Sequence, residues 1–110
     1  MIESSLVAVF ITAVNAAEAR RLADALLTAR LAACVNIVAD VSSYYRWQGK
    51  IEDANETLLM VKSRTVLLDN LIECVKGLHS YEVPEIIALP ILGGNVDYLR
   101  WIENETTPQT

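Results

Sequence analysis

Apolar positions along this chain alternate between unbroken runs and runs of helical period. Leu6-Val-Ala-Val-Phe-Ile-Thr-Ala13 is nearly continuous and rich in β-branched residues, the pattern of a central strand covered on both faces. The period then lengthens. Asn15 precedes Glu18 by three residues as a capping pair, and Leu22, Ala25, Leu26 and Ala29 repeat at helical spacing while Arg20, Arg21 and Asp24 point away. Ala32 to Val38 and Val41 to Trp47 form a second strand, interrupted near Ala39-Asp40 by a bulge or bend. Gln48-Gly49 supplies a tight turn in which glycine takes the positive φ of a type II or I′ turn, and a return arm runs from Ile51 to Lys62. Thr65 is placed to cap a second helix whose inward stripe is Leu68, Leu71, Ile72, Val75 and Leu78, with Gly77 helping it stop. Glu85 to Leu92 is a last strand, and Pro90 inside it cannot donate a ladder bond, which assigns it to an edge. After Gly93-Gly94, Asn95 caps a short helix over about 95–104 bearing Tyr98, Leu99, Trp101 and Ile102, and Glu103 to Thr110 reads as frayed.

Strand, helix, strand, strand, helix, strand, helix is the order of two right-handed βαβ-like halves joined through a hairpin. It predicts an α+β, ferredoxin-like sandwich with one antiparallel sheet in the order 4-1-3-2. At 110 residues the whole span 1–110 makes a single domain. The hairpin, about 41–62, exceeds that domain: the twelve residues from Ile51 to Lys62 reach roughly 40 Å at about 3.3 Å each. Its tip carries Tyr44, Tyr45, Arg46 and Trp47, so either it folds back on itself or another subunit covers it. Large aromatics beside arginine on a projecting tip point to an interface, and an apolar content of 53% leaves a surplus for one.

Polar chemistry concentrates in Leu78-His-Ser-Tyr-Glu-Val-Pro-Glu-Ile86, which holds the only histidine. Pro84 fixes its own φ and pushes Val83 out of the helical region, so the segment runs extended. It reads either as a ligand- or metal-contacting loop at a sheet edge or as a solvated connector whose histidine caps the preceding helix. Lys50, Lys62 and Arg64 flank the hairpin as candidate contacts for an anionic ligand, or as ordinary surface charges. A net charge of −5 is the wrong sign for holding a phosphate backbone, which argues against nucleic acid. Cys34 and Cys74 lie in apolar settings and read as buried thiols of a reducing compartment, the cytoplasm. Glu3 stands where a leader peptide has basic residues, and no uncharged run approaches the length of a membrane span. No phosphate loop, nucleophile elbow or zinc spacing is present, so no enzymatic activity is expected. An open copper-like site remains available to His79, Cys34 and the carboxylates of Glu82 or Glu85.

Ala29-Arg-Leu-Ala-Ala-Cys-Val-Asn-Ile37, Tyr45-Arg-Trp-Gln-Gly-Lys-Ile-Glu52, Glu56-Thr-Leu-Leu-Met-Val-Lys62, His79-Ser-Tyr-Glu-Val-Pro-Glu-Ile-Ile87 and Tyr98-Leu-Arg-Trp-Ile102 closely resemble the CutA family of divalent-cation tolerance proteins. The likeness covers nearly the whole chain in the same order. It implies a ferredoxin-like subunit in a tight homotrimer formed through the hairpin and the sheet edges, resembling PII signalling trimers, with Tyr44, Tyr45, Trp47 and Trp101 as trimer contacts. It also implies a cytoplasmic role in tolerance to copper and other divalent cations, without an enzymatic reaction and with no cofactor needed for folding. His79 and Glu85 fall on the motif linked to metal, with Glu82 beside them, and Cys34 falls on the strand-two cysteine. Some members carry a cysteine just before the Thr12 position; Ile11 stands there in this chain, so a thiol site using it is absent. Two rival expectations are a PII-like sensor binding a small anionic effector or a partner protein, and a purely structural trimer.

Overall fold

The computed structural model describes residues 5–108, so Glu3 and the last residues of the tail lie outside it. The elements are β1 (Leu6–Ala13), α1 (Ala16–Thr28), β2 (Cys34–Trp47), β3 (Lys50–Arg64), α2 (Leu68–Leu78), β4 (Ile86–Pro90) and α3 (Val96–Glu105). They build one antiparallel sheet in the order β2-β3-β1-β4. This is the expected ferredoxin-like order, with β1 interior and the proline-bearing β4 at an edge.

Register explains the layering, since residues directly opposite one another share a face. Ile11 faces Leu59 and Ile86, and Val9 faces Val61; Val61 and Leu59 in turn face Val35 and Ile37. These side chains form the face on which α1 and α2 lie, and Val9, Ile11, Leu59, Val61, Leu22, Leu26, Leu71 and Val75 are essentially closed to solvent. Each contributes about 1.5–3 kcal/mol through burial. The other face carries Phe10 opposite Met60 and Ile87, and Thr12 opposite Leu58. Only one end of it is covered, by α3, whose Ile102 is buried and whose C-terminal Thr106 accepts from Arg64 Nε at 2.9 Å and, through its carbonyl, from Arg64 Nη2 at 3.0 Å.

The hairpin pairs without interruption except at one bulge between Val38 and Val41, where Asp40 takes φ 58°. Gln48 at φ 51° and Gly49 at φ 81° make the tip a turn with both central residues left-handed, the I′ geometry that suits the twist of a hairpin. The molecule measures 46 × 27 × 22 Å, the long axis reflecting the projecting arm.

Several local expectations are corrected. Thr65 opens a 3-10 turn, Thr65–Leu67, and α2 starts at Leu68 with no side-chain cap from Leu67. Gly77 lies within α2, which ends when His79 turns extended before Pro84, and Leu78 is half exposed. Ala29 is the exposed C-cap of α1 rather than part of its buried stripe. Cys34 and Cys74 are partly rather than fully buried. The last strand is confined to Ile86–Pro90, and Glu103–Glu105 are helical, because Thr106 and Arg30 fasten that end: Arg30 Nη1 donates to the Glu105 carbonyl at 2.8 Å. No helix among the described residues is long and apolar enough to cross a membrane.

Candidate functional site at the connector

The segment between α2 and β4 is held by a buried polar chain that starts in α1. Asn15 caps α1 by accepting from the Glu18 N–H at 2.9 Å. Glu18 answers one residue further back than a capping box does, its Oε1 accepting from Val14 N–H at 2.9 Å. Its other oxygen, Oε2, accepts from Ser80 N–H at 2.7 Å, which ties the connector to α1. Burial pushes the Glu18 carboxyl up, but the Val14 and Ser80 donors outweigh it and hold the group below its ordinary value.

His79 sits beside this carboxylate with its side chain closed to solvent. Its Nδ1 lies 3.0 Å from Tyr81 N–H, which can only donate, and its Nε2 lies 2.7 Å from the Thr12 carbonyl, which can only accept. The ring is therefore the neutral tautomer protonated at Nε2. The 3.9 Å approach of Nδ1 to Glu18 Oε2 is then a contact and not an ion pair. The Tyr81 ring packs against His79 at 4.7 Å between centroids, and its hydroxyl donates to Glu56 Oε2 at 2.6 Å. Burial, with Glu56 beside it, pushes the Tyr81 phenol well up, so it remains a donor.

Beyond this chain lies an open cleft of about 340 Å³. Tyr45 and Trp47 of β2, Glu56 of β3, Thr12 of β1 and Tyr81, Glu82, Val83 and Glu85 of the connector line it. The bulge decides which aromatics face the cleft. Beyond it, Val41 stands opposite Glu56, Tyr45 opposite Glu52 and Trp47 opposite Lys50, whereas Tyr44 faces Asp53 on the other side and is 77% exposed.

The residues singled out by sequence thus separate into three places. His79 is neither a solvated cap nor a free ligand, because both ring nitrogens are engaged within the chain. Glu82 and Glu85 are exposed on the cleft. Cys34 stands opposite Lys62, near the α3 end of the sheet, where its Sγ is 3.9 Å from Asn36 Oδ1; burial, and then the contact with Cys34, raises the Tyr98 phenol. Trp101 packs on Tyr98 at 5.5 Å between ring centroids, away from the tip aromatics. Among the described residues no three of histidine, cysteine, aspartate and glutamate come together to hold an ion, so a preformed metal centre does not fit a single chain. Lys50 lies at the hairpin tip, while Lys62 donates to Asn36 and Arg64 is bonded to Thr106. Lys50 and Arg64 bracket β3 and are separated by roughly 45 Å of extended strand, so one chain makes no common anion site from them.

Glu18, Thr12, Glu56 and Tyr81 were not marked as site residues by the sequence. Glu18 announced itself only as a capping partner, and Glu56 only as one residue of the return arm. Tyr81 was visible as the aromatic in a segment otherwise rich in charge.

A family model described as CutA1 divalent ion tolerance protein matches residues 7–105. The chain is 51% identical over 98 residues to the divalent-cation tolerance protein CutA of Thermus thermophilus, covering 89% of this chain and 95% of that one. It is 49% identical over 100 residues to the chloroplastic protein CutA 1 of Oryza sativa, 91% of this chain but 56% of that protein, so it spans little more than half the length of that relative. The crystal structure of CutA1 from Oryza sativa superposes with a TM-score of 0.92 at 46% identity, over 97% of this chain and 98% of that one.

Proposed function

The chain belongs to the CutA1 divalent ion tolerance family, and from that premise we propose that it serves in tolerance of divalent metal ions as a homotrimer with no catalytic reaction of its own. One observation carries the assembly: large apolar side chains are left exposed on the open side of the sheet and along the arm. Val38, Ile87, Leu89 and Trp101 on the open side of the sheet are 40%, 52%, 45% and 40% exposed, and Tyr45 and Trp47 extend the surface along the arm. Scattered apolar residues are ordinary on a monomer, but this many large ones on one side of the sheet and along a projecting element suit a subunit interface.

Cation contact in this reading is loose and made by oxygen donors. Glu82 and Glu85 are the exposed carboxylates of the connector, and His79 orders that connector instead of binding the ion. Copper(II) is the first-row divalent ion expected to bind such donors most tightly. The free Cys34 and Cys74 suit a reducing compartment, and we place the protein in the cytoplasm. Sedimentation at micromolar concentration, with and without copper(II) and followed by analysis of bound metal, tests the proposal. A trimer with weakly retained metal is expected, and affinity should fall in Glu82→Gln/Glu85→Gln. A lone subunit at that concentration would overturn the assembly, and unchanged affinity in the double variant would remove the connector carboxylates from the role.

A further inference from the structure

We propose that the connector cleft is a binding site for a small organic cation, a protonated amine attached to an apolar or aromatic body. The inference does not depend on the tolerance role. Three features of the cleft select this class of ligand. First, its titratable lining includes three carboxylates, Glu56, Glu82 and Glu85, and no lysine, arginine or histidine. Second, Tyr45, Trp47 and Tyr81 supply aromatic surface beside those carboxylates, with Tyr45 and Trp47 on the side where the proposed homotrimer brings a neighbouring subunit, so the cleft opens at that seam; aromatic faces attract ammonium groups through the ring quadrupole. Third, Glu56 is only 8% exposed, and among the described residues its carboxylate is bonded at Oε2, by the Tyr81 hydroxyl. No described side-chain oxygen is both closed to solvent and unbonded, and Glu56 is one of the residues that line the cleft. A carboxylate oxygen this sheltered gains from a donor carrying positive charge.

The same geometry argues against tight enclosure of a bare ion in the cleft, as distinct from the loose contact proposed above for the exposed Glu82 and Glu85. The carboxylates are not grouped closely enough to close on one metal, whereas an organic cation bridges them: its ammonium reaches Glu56 while its body lies against Trp47 and Tyr45. A volume of about 340 Å³ is at the small end of ligand pockets and suits a molecule of this size. Tyr81 is the positioning residue. Its hydroxyl fixes Glu56, and its backbone N–H is fixed by His79, so the buried carboxylate is oriented before a ligand arrives.

The test uses the full chain labelled at the indole nitrogens, with the Trp47 signal assigned through Trp47→Phe. Benzylammonium is the probe and benzyl alcohol its neutral counterpart. Benzylammonium should shift the Trp47 signal saturably, benzyl alcohol should bind at least about tenfold more weakly, and Glu56→Gln should cost a similar factor. Putrescine reports whether the charge alone suffices, and weaker binding than benzylammonium is expected because it lacks the ring. Should Glu56→Gln fail to fold, Glu82→Gln/Glu85→Gln at exposed positions gives the second arm, with a smaller loss expected. Equal binding of the alcohol and the amine, no saturable shift, or undiminished affinity in a folded Glu56→Gln would each overturn the proposal. Sedimentation of the same samples keeps the result separate from that of the assembly: a well-formed trimer that ignores benzylammonium refutes the cation site alone.

Discussion

The base and the arm of the β2–β3 hairpin are joined by one hydrogen-bonded ladder but differ in their surroundings. At the base, Leu59 and Val61 lie under α1 and α2 with no exposed surface. In the arm, Ile51 is 59% exposed, Trp47 49% and Tyr44 77%, although the strands pair as regularly there as at the base. The comparison separates two roles that a strand pair usually combines. Backbone bonding is satisfied along the full length and sets no limit to it, whereas burial stops where the helices stop. The base is stabilised by its own chain, whereas the arm finds no such helix cover within it.

Matched truncations test this most strongly. Leu59→Ala should lower the stability of the chain by about 3–4 kcal/mol, because the site is enclosed and collapses poorly around a cavity. Ile51→Ala in the arm should change the stability of the dissociated chain by no more than about 0.5 kcal/mol. Urea denaturation of both variants checks the pair, and similar losses would mean the arm has a core of its own. Next in size is Trp47→Ala, expected to weaken the proposed homotrimer by about 3 kcal/mol in total while leaving the isolated subunit nearly unchanged. Dissociation followed by sedimentation measures this. Fluorescence showing Trp47 fully wetted in the native assembly would contradict it.

The connector occupies the boundary between the two regions, and its buried anchor gives the protein a defined acid sensitivity. The native chain binds a proton at Glu18 less readily than the unfolded chain does, since the Val14 and Ser80 donors favour the carboxylate. Its contribution to stability is therefore complete above the ordinary glutamate value of about 4.3. It is lost as pH falls through the lower native value. Glu18→Gln keeps the shape but offers a single acceptor to two donors, at a cost of about 2 kcal/mol near neutral pH. Denaturation midpoints measured from pH 6 to pH 3 should fall less steeply in the variant than in the parent. Parallel curves would assign the acid sensitivity to another carboxylate.

This boundary also marks where the sequence ceased to be legible. Period and punctuation identified β1, its interior place, the bulge before Val41 and the tip turn, because each is written in consecutive residues. Pro90 disclosed an edge for the same local reason. The bonding of His79 was hidden, since Thr12, whose carbonyl accepts from its Nε2, lies 67 residues away, and a lone histidine between carboxylates looks the same whether it binds an ion or a carbonyl. Glu56 was hidden for a related reason. Its burial depends on Tyr81 arriving from across the sheet, and hydrophobic patterning does not count a carboxylate as an inward residue. Lys50, Lys62 and Arg64 misled in the opposite direction: their positions around one hairpin suggested proximity, and the length of β3 keeps the outer two at its opposite ends.

The smallest expected effect lies at the far end of the arm, where no core can compensate for a poor turn. Gln48 holds φ 51° next to Gly49 at φ 81°, and a side chain other than asparagine, aspartate or glycine costs about 1 kcal/mol in the left-handed region. Gln48→Asn replaces it with a residue that tolerates this conformation and leaves the Trp47–Lys50 pairing in place. Were the arm held by a core, so local a change would be shared across the domain. An arm held by its ladder, without helix cover, should instead show it where the strands meet the turn, as slower amide exchange at Trp47 and Lys50 by a factor of about two to five, corresponding to roughly 0.5–1 kcal/mol. Amides at Leu59 and Val61 should not change, because their exchange requires opening of the helix-covered base. Equal slowing at tip and base would show that the two regions open as one unit.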